Sequence, residues 1–138
     1  MTPLVLASQS PYRRAQLENF GLKFIAEKPA VDEESLKAQG PKDLTELTRF
    51  LSSQKAMSLK KKYPQAVILG SDQLTDFQGE RLDKPGNHEN AVRQLQRMSG
   101  QEHRLITSLS VLYGEITLNY TDITRIHLKT LSPELIEA

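Results

Sequence analysis

Ala66-Val67-Ile68-Leu69 is the most apolar run in the chain, and Gly70-Ser71-Asp72-Gln73 follows it directly. An unbroken apolar run of this length, with Pro64 just before it, reads as a central strand covered on both faces. Its polar end emerges from the core. In open α/β sheets ligands bind at the carboxyl ends of strands, so Asp72 stands where chemistry is expected.

The remaining pattern builds layers around that strand. Leu4-Val5-Leu6-Ala7 is a short buried strand, and Ser10-Pro11 starts a helix with Ser10 as its cap and Pro11 in its first turn. Ala15, Leu17 and Phe20 mark the apolar face of that helix, and Gly21 closes it. Leu22 to Ala26 alternates like a strand, and Pro29 to Gly40 reads as a polar, acidic loop. A long helix runs from Pro41-Lys42-Asp43 to about Tyr63, with Leu44, Leu47, Leu51, Ala56 and Leu59 as its stripe. Phe77-Gln78-Gly79-Glu80 is a hairpin turn, Asp83 to Gly86 a loop, and Asn87 to Met98 a helix ended by Ser99-Gly100. His103 to Tyr113 and Ile116 to Lys129 are long strands joined at Gly114-Glu115, and Ser132-Pro133-Glu134 opens a last helix. The fold class is α/β, with a mixed, partly antiparallel sheet flanked by helices.

The 138 residues suit one domain, 1–138. Lys and Arg number 18 against 17 Asp and Glu, so no global field recruits nucleic acid or an anionic membrane, and any anion site is local. The absence of cysteine removes disulfides, thiol nucleophiles and thiolate-bound zinc. No signal-like segment and no long apolar run is present, which points to a soluble cytoplasmic protein.

The candidate chemistry lies at loop edges. In Ser8-Gln9-Ser10-Pro11-Tyr12-Arg13-Arg14, unpaired N–H groups of a helix start, two hydroxyls and two arginines can meet phosphate. A plain capped helix with solvated arginines explains the same residues, although arginines in a first turn oppose the helix dipole. Asp72 and Glu33 are carboxylates for a divalent metal, and Asp72 also suits a base for water. Lys55 and Lys84 can meet phosphate as point charges or stand as surface lysines. His88, His103 and His127 lack metal-ligand spacing, and neither GxxxxGK[ST] nor GxGxxG occurs. Cationic and anionic groups at several loop edges fit a metal and a polyphosphate.

LASQSPYRRAQL at the start, VDE at 31–33, QKA at 54–56, ILGSDQ at 68–73, DKP at 83–85 and LQRMSGQEHRLIT at 95–107 resemble the Maf family in order and spacing. LSPELI near the end extends the resemblance over essentially the whole chain. It implies an inosine triphosphate pyrophosphatase-like fold and a nucleoside triphosphate pyrophosphatase that uses a divalent metal, Mg²⁺ or Mn²⁺. It implies Asp72 as proton acceptor and metal ligand, Glu33 at the metal, and Ser8, Ser10, Arg13, Arg14, Lys55 and Lys84 around the triphosphate. Tyr12 and Gln73 fall at the family's specificity positions. The branch that prefers 7-methyl-GTP carries Trp and Gln there, so Gln73 resembles it and Tyr12 replaces Trp with another aromatic residue, whereas Arg with Thr marks the branch that prefers dTTP and UTP. An aromatic face suits a cationic methylated purine.

The pattern departs from the family in three places. Gln54 stands where the family carries Glu, and Asp83 where it carries Gly. The family's later blocks are missing, so the resemblance implies a fold lacking its C-terminal part. Loss of strands exposes an edge that a second copy of the chain, in a homodimer, would cover. The alternative to an enzyme is a catalytically impaired Maf-like protein that binds nucleotide and regulates septum formation.

Overall fold

The computed structural model describes residues 2–83 and 85–137. The elements run β1 (Leu4–Ala7), α1 (Pro11–Asn19), β2 (Ile25–Glu27), α2 (Glu33–Gln39), α3 (Leu44–Met57) and β3 (Val67–Phe77). They continue with β4 (Glu80–Leu82), α4 (His88–Met98), β5 (Glu102–Tyr113), β6 (Ile116–His127) and α5 (Pro133–Glu137). The strands form a six-stranded sheet ordered β2-β1-β3-β5-β6, with β4 paired to β3. β1 runs parallel to both β2 and β3, and β3 is antiparallel to β4, so the sheet is mixed as expected. Parallel neighbours need crossovers, which α1 provides between β1 and β2, and α2 with α3 between β2 and β3.

The chain divides into two compact units, Met1–Asp72 with Thr107–Asp122, and Gln73–Ile106 with Ile123–Ala138. In the first, Val5, Ala7, Ala56, Leu59, Ala66, Ile68 and Leu112 form the core cluster. Helix α3 owes its start to Asp43, whose carboxylate accepts from the Glu46 N–H at 3.0 Å. It buries Leu47, Thr48, Leu51, Ser52, Lys55 and Ala56. Small residues let it lie close to the sheet. The Ser52 hydroxyl meets those of Ser108 and Ser110 on β5 at 3.1 and 2.7 Å, all three residues being buried. Gly70 on β3 touches α3 so closely that a Cβ there would stand 2.2 Å from the Ser52 carbonyl oxygen and 2.8 Å from the Ala56 nitrogen.

Several local expectations change: the long helix α3 ends at Met57 rather than near Tyr63, and the strand expected from Leu22 to Ala26 is Ile25–Glu27. Residues 29–40 are not all loop: Asp32 caps α2, its carboxylate accepting from the Glu34 and Ser35 N–H groups, and Glu33 and Glu34 suit the positive end of that helix. Strand β3 does not stop at Leu69 but runs to Phe77 and carries Gly70 to Gln73 within it, in a sheet where β3 lies between β1 and β5. Asp72 therefore sits inside a strand and is buried. The face of α1 marked by Ala15, Leu17 and Phe20 does not form core, and α1 has no buried residue. On β6, Ile116, Leu118 and Tyr120 are exposed as well.

In the second unit Gln78 and Gly79 turn β3 into β4 with positive φ at both positions, as a two-residue hairpin of the primed type requires. Asp76 locks this turn: one oxygen accepts from the Gly79 N–H at 2.7 Å, and the other takes the guanidinium of Arg104. Arg97 of α4 pairs with Glu80 at 2.6 Å and lies over the Phe77 ring. Among the described residues, no helix is long and apolar enough to cross a membrane.

The contact at Gly70 generates a sharp expectation. Gly70→Ala places a methyl group against helix backbone that cannot rotate away, so it should destabilise the protein by about 3 kcal/mol or more. Urea denaturation followed by circular dichroism checks this, and a loss below about 1 kcal/mol would show that α3 shifts freely.

Candidate active site

The C-terminal end of β1 leads into Ser8, which is buried and whose hydroxyl accepts from the Ser10 N–H at 3.0 Å. Ser10 caps α1, its hydroxyl accepting from the Arg13 N–H at 3.4 Å, with Pro11 in the first turn. No acidic residue occupies that turn, so the helix dipole there is left for an external anion. Arg13 reaches across to β3 and donates from Nη1 to the Ser71 carbonyl at 3.0 Å. That bond ties α1 to the residue before Asp72.

Asp72 follows Gly70 by two positions and so shares its face of β3, toward α3. Lys55 lies between Ser52 and Ala56, the residues that Gly70 touches. The close packing therefore carries the Lys55 ammonium to 2.8 Å from Asp72 Oδ1, while Glu33 Oε1 approaches it at 2.7 Å from the start of α2. The Lys55 side chain is 6% exposed, that of Asp72 11%, and that of Glu33 48%. The hydrogen bond from Lys55 lowers the Glu33 pKa below its usual 4.5; desolvation opposes this, and the charges of Lys55, Lys37 and Arg13 assist it. Asp72 Oδ2 is buried and has no hydrogen-bond partner among the described residues.

A cleft of about 280 Å³ opens beside this cluster, lined by Ala7, Ser8, Gln9, Ser10, Arg13, Lys28, Pro29, Val31, Glu33 and Lys55. Arg13, Lys28 and Lys55 outweigh Glu33 there, so the wall carries excess positive charge suited to a polyphosphate. Ser8, Ser10, Arg13, Glu33, Lys55 and Asp72 are thus brought together. Arg14 instead pairs with Glu18 at 3.2 Å on the exposed side of α1, and Tyr12 projects from the same turn, 73% exposed. Gln73 is exposed on β3. Lys84 lies outside the described residues. Lys28 and the Ser71 carbonyl were missed from sequence: a lone lysine gives no signal, and a backbone acceptor gives none either.

The chain is thus a mixed α/β fold with a buried Lys–carboxylate cluster beside a cleft whose wall also carries Arg13 and Lys28. Its fold is that of the Staphylococcus aureus Ham1 protein, with a TM-score of 0.62 at 10% identity, covering 91% of this chain and 71% of that one. Residues 3–138 match the model of the Maf-like protein family, and the chain belongs to that family. A 7-methyl-GTP pyrophosphatase of Xanthomonas axonopodis pv. citri is 39% identical over 137 residues, which is 99% of this chain and 70% of the relative. A nucleoside triphosphate pyrophosphatase of Ruegeria pomeroyi is 39% identical over 138 residues, covering 94% of this chain and 67% of the relative.

The depressed Glu33 pKa sets the sign of a pH effect. Glu33 adds stability that is complete above its usual 4.5 and is lost as pH falls through the lower folded value. The stability advantage of the native chain over Glu33→Gln should therefore be largest at neutral pH and shrink between about pH 5 and pH 3. Denaturant titrations across that range measure it, and an advantage that grows on acidification contradicts the Lys55 pairing.

Proposed function

We propose that this protein is a nucleoside triphosphate pyrophosphatase that hydrolyses 7-methyl-GTP to the monophosphate and pyrophosphate. The observation that carries the reading is the buried Lys55, held between Asp72 and Glu33 on the wall of a cationic cleft. The similar proteins of Xanthomonas axonopodis and Ruegeria pomeroyi are named as pyrophosphatases, which supports an enzyme over the binding-only alternative.

The residues fit a hard divalent cation, Mg²⁺ or Mn²⁺, because Asp72 keeps a buried oxygen without a partner and Glu33 adds a second carboxylate. Glu33 and Asp72 would hold it, and when bound it supplies positive charge to phosphate oxygens. Ser8, Ser10 and the N–H groups at the start of α1 bind the triphosphate, with Arg13 and Lys55 as charged partners. Asp72 accepts a proton from the attacking water through the carboxylate oxygen that the cation does not take. The water oxygen forms a new bond to the α-phosphorus, the anhydride bond between the α- and β-phosphates breaks, and its electron pair leaves with the pyrophosphate. Tyr12 stacks on the base and Gln73 hydrogen-bonds its edge, which favours a cationic methylated purine.

Pyrophosphate release with Mg²⁺ or Mn²⁺ from 7-methyl-GTP, GTP, dITP, UTP and dTTP tests the reaction. The native chain should prefer 7-methyl-GTP, and Asp72→Asn should lower kcat by about 100-fold or more. Nucleotide binding without release from any of the five overturns the reading in favour of the binding-only alternative. For specificity, Tyr12→Arg combined with Gln73→Thr should move preference toward UTP and dTTP; an unchanged order of substrates removes both residues from base recognition.

A further inference from the structure

Lys55 gives Glu33 and Asp72 a cation before any ligand arrives. Its ammonium stands 2.7 Å from one carboxylate and 2.8 Å from the other, and its side chain is 6% exposed. We infer that Lys55 keeps free divalent metal off Glu33 and Asp72, so that the metal enters this site with the triphosphate rather than ahead of it. The inference rests on the pyrophosphatase reading for the identity of that triphosphate.

Charge in a place with little water decides the order of entry. Two carboxylates and one ammonium leave a single net negative charge. A dication that arrives alone takes the carboxylates and strands a buried ammonium beside it, unpaired and repelled. Retreat to solvent is restricted, because Lys55 projects from the buried face of α3. A triphosphate removes the conflict by giving the ammonium new anionic partners at the cleft wall that Lys55 itself lines. Protein donors alone are also few: among the described residues, no group of three or more His, Cys, Asp or Glu is placed to hold a metal. Asp72 Oδ2, buried and without a partner, is the oxygen that Lys55 leaves for the incoming ion.

The test is a nucleotide-free titration with Mn²⁺, following the free-ion signal by electron paramagnetic resonance, for the native chain, Lys55→Met and Lys55→Arg. The native chain and Lys55→Arg should bind weakly, and Lys55→Met should bind at least about tenfold more tightly than either. Adding Glu33→Gln to Lys55→Met should remove the gain. Micromolar binding by the native chain without nucleotide overturns the inference, as does equal affinity in native chain and Lys55→Met. The native-chain arm decides even where Lys55→Met fails to fold, which circular dichroism reveals. Tight metal binding by a chain that still releases pyrophosphate sinks this inference alone, whereas weak binding with no release sinks only the pyrophosphatase reading.

Discussion

Everything at the site depends on how closely α3 approaches β3. A side chain at position 70 would collide with the helix backbone at Ser52 and Ala56, so glycine there sets the spacing between the layers. Ser52, Ala56, Ser108 and Ser110 complete a contact made of small residues, and the buried hydroxyls satisfy one another. One step along the same helix stands Lys55, and two steps along the same strand stands Asp72. Larger residues at this contact would give a better filled core and a lysine too far from its carboxylate.

Burying an ammonium between carboxylates is a poor route to stability, because desolvation offsets much of the attraction. Its presence in the first unit therefore points to use. The pairing holds Lys55, Glu33 and Asp72 in place while the cleft is open, and the same groups are the ones a phosphate chain and a cation would recruit. Arg13 has an equally double position, with its backbone N–H in the Ser10 cap and its guanidinium on the Ser71 carbonyl. Both devices link elements far apart in sequence through side chains that also line the cleft.

Much of this was legible from residues. The caps at Ser10, Asp43 and Asn87, the Gln78-Gly79 turn and the Gly114-Glu115 connection all sit where local chemistry requires them. Two expectations fail for different reasons. Gly70-Ser71-Asp72-Gln73 has the composition of a turn, yet strand partners hold it extended, which no local signal conveys. Asp32-Glu33-Glu34-Ser35 was read as loop although an Asp cap followed by acidic residues is a helix start, a signal present but outweighed by polarity. For the site, residue types and order identified the participants, while the Lys55 bridge needed the layer spacing. Arg14 could not be separated from Arg13 by sequence, since adjacent helix residues differ only in the direction they project.

Asp72 inside β3 and Tyr12 on α1 stand on very different supports. The carboxylate rides on a strand flanked on both sides in the sheet and backed by the core helix. The aromatic ring rides on a nine-residue helix with nothing buried. Segments with few buried contacts open at a fraction of the global unfolding free energy. On warming, α1 therefore opens before β3 and α3, and the Ser10 cap and the Arg13 anchor loosen with it. The part of the cleft wall built on α1 is thus the thermally fragile part of this fold, and the Lys55–Asp72 pair the durable one.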